Sequence, residues 1–199
     1  MTAQTPARTR RDRWADWLVI ATLAIALLLG WAAMAFAEGQ KSVYTDAETG
    51  LVLRYPKDWF LKSNEKLVFQ ALDPASGSFK TTYQVRLWPV AATGSLTSTL
   101  GGVLNGASLA RAQEGTAYRL FDIVQGEDKD DQPTMEATYV YVVASPDLFT
   151  QRMPVVVMGL DIAVASDDGA YVFSLLADKD AFEGAEKQFR TFVQTAEVR

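Results

Sequence analysis

The chain has no cysteine and no histidine in its 199 residues. Without thiols there is no disulfide framework, no thiolate nucleophile and no cysteine metal site; without imidazole there is no histidine zinc site and no histidine-based triad. The groups left for catalysis are carboxylates, Ser, Lys and Tyr, and their spacing is poor. Ser63 and Lys66 fit S-x-x-K, Lys80-Thr81-Thr82 approaches K-T-G, and Ser166-Asp167-Asp168 approaches S-D-N. These are fragments of the serine-acylase set, but the S-D-N-like piece follows the K-T-G-like piece and Ser63 falls in a polar turn instead of heading a helix. The sequence therefore predicts a protein that is not an enzyme and needs no cofactor.

Basic residues are also scarce beyond the N-terminus. Residues 38–199 hold 15 basic and 22 acidic side chains, a net charge of −7. Lys and Arg stand singly among acids, so nucleic acid is excluded as a partner, since a polyanion requires a basic stripe. Four carboxylates, Glu127, Asp128, Asp130 and Asp131, gather within 127–131. They lack the turn Gly and the distant Glu of an EF-hand, and read as a solvated hairpin tip, with a docking patch for a basic partner or weak cation binding as the alternative.

What the chain does have is one long apolar run. Residues 17–37 carry no charge, and at about 1.5 Å per helical residue they span roughly 30 Å, the thickness of a bilayer's hydrocarbon core. Arg8, Arg10, Arg11 and Arg13 precede the run and only Lys41 lies just after it. Positive-inside bias then leaves residues 1–16 as a cytoplasmic basic N-terminus and places the rest across the membrane. Trp17, Leu18, Leu27, Leu28 and Trp31 are the expected anchor residues, with Trp17 and Trp31 suited to the interfaces. A cleaved signal peptide is the rival reading, because Ala35-Phe36-Ala37 before Glu38 forms an A-x-A pattern. The run outlasts the usual h-region and has no polar c-region, so a retained anchor is expected.

A linker at 38–41 leads to a domain at 42–199. Strands are expected at 51–55, closed by Pro56, at 67–71 and at 82–90, where Tyr83, Val85 and Leu87 alternate with Gln84, Arg86 and Trp88. Alternation with one wet face implies an antiparallel sheet. From Ser95, Leu96, Leu100, Val103, Leu104 and Ala107 recur at helical spacing despite Gly101, Gly102 and Gly106. Strands are expected again at 118–124, 135–143, 155–164 and 171–177. A last helix, capped by Asp178 or Asp180, turns Phe182, Ala185, Phe189, Phe192 and Val193 to the sheet.

The segment from Gly50 through Tyr55-Pro56 to Trp59 (G-x-x-x-x-Y-P-x-x-W), the helix between strands and the terminal helix with Phe189 and Phe192 resemble the PsbP-like family, which includes the photosystem II extrinsic protein and bacterial relatives such as LpqN. The resemblance implies an α+β fold, an antiparallel β-sheet flanked by helices, here preceded by one N-terminal transmembrane helix. It also implies a protein that binds larger assemblies or small ligands, and it transfers no site. The expected function is a single-pass, membrane-anchored accessory or assembly subunit with its domain on the extracytoplasmic face, its partners being the bilayer and other subunits of a membrane complex. A membrane-anchored ligand-binding or sensing ectodomain is the alternative.

Overall fold

A computed structural model describes residues 10–38, 40–90, 95–114, 116–143 and 154–198, with side chains of the first helix described over 17–31. The chain divides into Met1–Lys41 and Ser42–Arg199.

The first unit holds α1 (Arg10–Glu38). Its described side chains are all exposed and almost all apolar, including Trp17, Leu18, Leu27, Leu28 and Trp31. Among the described residues, no helix is long and apolar enough to cross a membrane, the described side chains of α1 ending at Trp31. Arg8 lies outside the described residues, as do the side chains of Arg10, Arg11 and Arg13.

β1 (Lys41–Thr45) pairs with β2 (Val52–Pro56). A strand thus already begins at Lys41, within the expected linker. The short β3 (Phe60–Leu61), absent from the sequence reading, has no alternation long enough to register. It is one edge of a seven-stranded antiparallel sheet whose next members are β4 (Phe69–Leu72) and β5 (Thr82–Trp88). The chain then leaves the sheet as α2 (Leu96–Glu114) and crosses to the opposite edge. From there it meanders back through β6 (Thr116–Gln125), β7 (Met135–Val143), β8 (Val155–Ser166) and β9 (Gly169–Asp178). The last strand slots in beside β5, giving the order β3-β4-β5-β9-β8-β7-β6, and α3 (Phe182–Gln194) returns across the other face.

Local chemistry accounts for most of these limits. The Ser98 amide donates to Ser95 Oγ at 3.3 Å, which starts α2 as expected of a Ser N-cap. The glycines of α2 are tolerated because burial of Leu100, Val103, Leu104 and Ala107 against β7, β8 and β9 outweighs their low propensity. The expected cap of α3 is not found: the N-cap position is Ala181 without a side-chain bond, and Asp178 Oδ1 instead accepts from the Asp180 amide at 3.2 Å. An Asx turn competes with capping for the same carboxylate.

The sheet is covered on both faces. Under α3, Phe182, Phe189, Phe192 and Val193 meet Phe69, Tyr83, Val85 and Phe173. Phe189 is fully buried and Tyr83 lies edge-on to it with centroids 5.1 Å apart. Trp59, half-buried, packs on Tyr83 at 4.4 Å and closes that layer's margin. On the opposite face α2 lies chiefly over β6, β7 and β8 and leaves most of β5 beyond it, with only Trp88 of that strand packed at its margin. The expected wet face of β5 is therefore part of the floor of a recess and not an open surface.

Truncating Phe189 to Ala should lower the unfolding free energy by about 3–5 kcal/mol. Urea denaturation checks this, and a loss below about 1 kcal/mol would show that α3 packs otherwise.

Candidate functional site

β8 reads as an apolar run broken by one charge, Asp161, whose side chain points to the α2 face and is 2% exposed. A lone buried carboxylate must find donors, and Asp161 finds three. Arg111, in the last turn of α2, donates from Nε to Oδ2 at 3.1 Å and from Nη2 to Oδ1 at 3.0 Å. Tyr139 OH donates to Oδ1 at 3.0 Å. Arg111 also donates from Nη2 to Ser174 Oγ at 2.6 Å, and its guanidinium stacks over the Tyr139 ring, 5.0 Å from the centroid. The tyrosine lies flat because its cross-strand partner is Gly159, where any Cβ would overlap the ring.

Electrostatics follow from this burial. For Arg111, desolvation works against the charge, but Asp161 beside it outweighs that cost and holds the guanidinium above its ordinary range. Tyr139 is pushed well above the usual phenol value of 10, first by burial and then by the charge of Asp161 against the opposing pull of Arg111. Burial also raises Tyr83 and Tyr141.

Next to this cluster lies a cleft of about 490 Å³. Its floor is β5, with Gln84, Arg86 and Trp88, and β9, with Val172, Ser174 and Leu176. One wall is α2 at Ala107, Ala110 and Arg111; the other is the loop between β3 and β4 at Asn64, Lys66 and Leu67, with Tyr141 at one end. Asn64 shapes that loop, accepting the Lys66 amide at Oδ1 (3.0 Å) and the Leu67 amide at its backbone carbonyl (3.0 Å). Arg86 stacks on Trp88 at 5.9 Å. The volume suits a small molecule, and the lining mixes apolar side chains with polar ones in about equal measure.

The acidic segment singled out from sequence lies elsewhere. Lys129 and Gln132 bridge across Asp130 and Asp131, whose φ values of 51° and 62° make the tip a tight hairpin turn of the kind Asp tolerates. Lys129 is 2% exposed; its Nζ donates to Asp130 Oδ2 at 2.8 Å and to the Gln194 carbonyl at 3.4 Å, at the C-terminal end of α3. A cation at that end complements the helix dipole, so the tip is docked on α3 through its lysine. Glu127, Asp128, Asp130 and Asp131 remain exposed, and the structure does not bring them to the cleft. Sequence reasoning passed over Asp161, Arg111 and Tyr139; the one signal was the single carboxylate inside 155–166.

An antiparallel α+β scaffold with a recess between helix and sheet is the class defined here, and its fold is that of the PsbP-like family. The solution structure of cyanobacterial PsbP (CyanoP) from Synechocystis sp. PCC 6803 is similar at a TM-score of 0.57 and 16% identity, over 80% of this chain and 92% of that one. LpqN of Mycobacterium tuberculosis, involved in cell envelope biogenesis, is similar at 0.49 and 12%, over 80% and 90%. The Ran-binding protein Mog1p of Saccharomyces cerevisiae is similar at 0.46 and 12%, over 80% and 95%. No family model matches the sequence, and no curated protein matches it. At such identities the likeness establishes the fold and carries over no site.

Replacing Asp161 with Asn should cost about 3–5 kcal/mol of stability in urea denaturation, because Arg111 is left charged and half-buried without its partner; Asp161→Leu with Arg111→Met should cost much less.

A second expectation concerns alkali. The folded protein keeps phenol protons that the unfolded chain releases above about pH 10, so this contribution is complete below that pH and is lost as pH rises towards the folded-state values. Thermal unfolding followed from pH 9 to 12 should show falling stability, and Tyr139→Phe should flatten the fall.

Proposed function

We propose that the protein is a membrane-anchored, non-catalytic binding protein that holds a small ligand in the cleft beside α2, with its folded domain on the extracytoplasmic side. The cleft carries this reading. It is large enough for a small molecule, its polar groups converge from β5, β9 and α2, and Arg111 is fixed in position before any ligand arrives. Support for the anchor comes from α1, where Leu18, Val19, Ile20, Leu23, Leu27 and Leu28 cover every side of the helix and all are exposed. A helix apolar all round calls for an apolar environment. The uncharged run of 17–37 and the four preceding arginines give the orientation.

The accessory-subunit reading draws on the same helix. An exposed apolar helix can pack against other spans as well as lipid, and Ala21, Ala24 and Gly30 permit close approach.

Native mass spectrometry of the full chain released from its own membranes separates the two. A small-molecule adduct that disappears in Ala110→Trp, which fills the cleft, is the expected result. Co-released protein subunits with no adduct in the wild type would transfer the function to the accessory reading. N-terminal sequencing of the same sample is expected to find residues ahead of Glu38; a mature start at Glu38 would remove the anchor.

A further inference from the structure

The polar character of the cleft is one-sided. Arg86 and Lys66 line it, and neither side chain is paired with a carboxylate among the described residues. Arg111 lines it as well, with Nε and Nη2 committed to Asp161 and Ser174 while Nη1 has no partner among the described residues. A guanidinium offers only donors, so Nη1 presents N–H groups that a ligand can take. The indole Nε1 of Trp88 is shut off from solvent and likewise unpartnered among the described residues. Donors are plentiful, and among the described residues no Asp or Glu lines the recess. This stands against the background of a region with net charge −7.

Position sharpens the point. Arg86 faces Val172 across the strand pair and Gln84 faces Ser174, so Arg86 lies one cross-strand row from the serine that holds Arg111. Apolar side chains, Leu67, Trp88, Ala107, Ala110, Val172 and Leu176, make up much of the remaining lining, beside the neutral polar Gln84 and Ser174. Two guanidinium groups beside these apolar side chains match an anionic head on an apolar body, because Arg pairs with carboxylate or phosphate oxygens through charge-assisted bonds and the apolar side chains take the hydrocarbon.

We propose that the cleft between α2 and the 62–68 loop is the seat of a small organic anion, a carboxylate or phosphate carried on an apolar body. The proposal rests on the binding reading above and names its ligand class. Arg86 and Lys66 supply the uncompensated charge, Arg111 supplies a pre-set donor edge, and Asp161 serves as the positioning residue that orients Arg111 and cancels the charge it does not use.

The test uses the full chain in phosphatidylcholine nanodiscs, with empty discs as blank, titrated calorimetrically with octyl phosphate, octanoate, octanol, octyltrimethylammonium and inorganic phosphate. Octyl phosphate and octanoate should bind, with the neutral and cationic octyl compounds and bare phosphate weaker by roughly tenfold or more. Arg86→Gln and Lys66→Gln, which remove charges from unpaired positions, should each weaken octyl phosphate by roughly tenfold while leaving circular dichroism and the unfolding midpoint unchanged. Equal binding of octanol or the cationic analogue would overturn the anion inference and leave the binding reading standing. Bare phosphate binding as tightly as octyl phosphate would overturn the apolar half. No binding by any probe, with the domain folded, would overturn both.

Discussion

A carboxylate buried on a central strand has to be neutralised where it stands, and the bidentate bond between Asp161 and Arg111 does this by fastening α2 to the sheet at its C-terminal turn. Much of the α2 face follows from that requirement. Because Asp161 is on β8, the helix is drawn over the β6–β8 side, and β5, two strands from β8, is left largely beyond it apart from Trp88. The space left over is the cleft. Ser174 and Tyr139 complete the bonding of the pair, and Gly159 makes room for Tyr139 to lie beneath the guanidinium. A buried ion pair of this kind adds little net stability, but it specifies one placement of the helix, because sliding α2 would strand both charges.

The opposite face repeats the device. Glu136 on β7 is buried towards α3 and receives Arg190 at 2.7 and 2.9 Å, while Glu186 one turn earlier on the same helix braces the guanidinium at 2.9 and 3.0 Å. Hydrogen bonding to Glu136, ahead of the opposing cost of burial, keeps Arg190 above its usual range. The difference between the faces lies in what surrounds the clamp. Under α3 the clamp sits at the edge of an aromatic layer, Tyr83, Phe173, Phe189 and Phe192, which fills the space from β4 to β8. Under α2 the contact residues are small, Ala137, Ala163 and Ala170, and the recess beside them stays open. One face is packed for stability and the other leaves room for a ligand.

Much of the fold was legible in the residue pattern. The alternation over 82–88, the apolar stripe ending in Phe189 and Phe192, and the Ser95 cap each carry their periodicity or hydrogen-bonding chemistry locally, so strands and helices were placed within a few residues. β1 and β3 were missed because short edge strands have too few residues to show a period. The expected Asp cap of α3 does not form because two acceptor geometries compete within three residues. The carboxylates at 127–131 drew attention by number, yet their placement answers to a hairpin turn and to Lys129 docking on the end of α3.

By itself the sequence determined what this protein lacks and where its segments fall: no thiol or imidazole chemistry, one uncharged run, an acidic remainder, alternating strands around two amphipathic helices. These are properties of composition and of short-range period, which neighbouring residues settle among themselves. Only the tertiary structure decided that Arg111, Asp161 and Ser174, separated by up to 63 positions, form one bonded cluster. Only there do Arg86 and Lys66 come to share a recess with it. Strand order made that choice, because β9 returns from the far edge to lie beside β5, and nothing local to either strand encodes which partner it will meet.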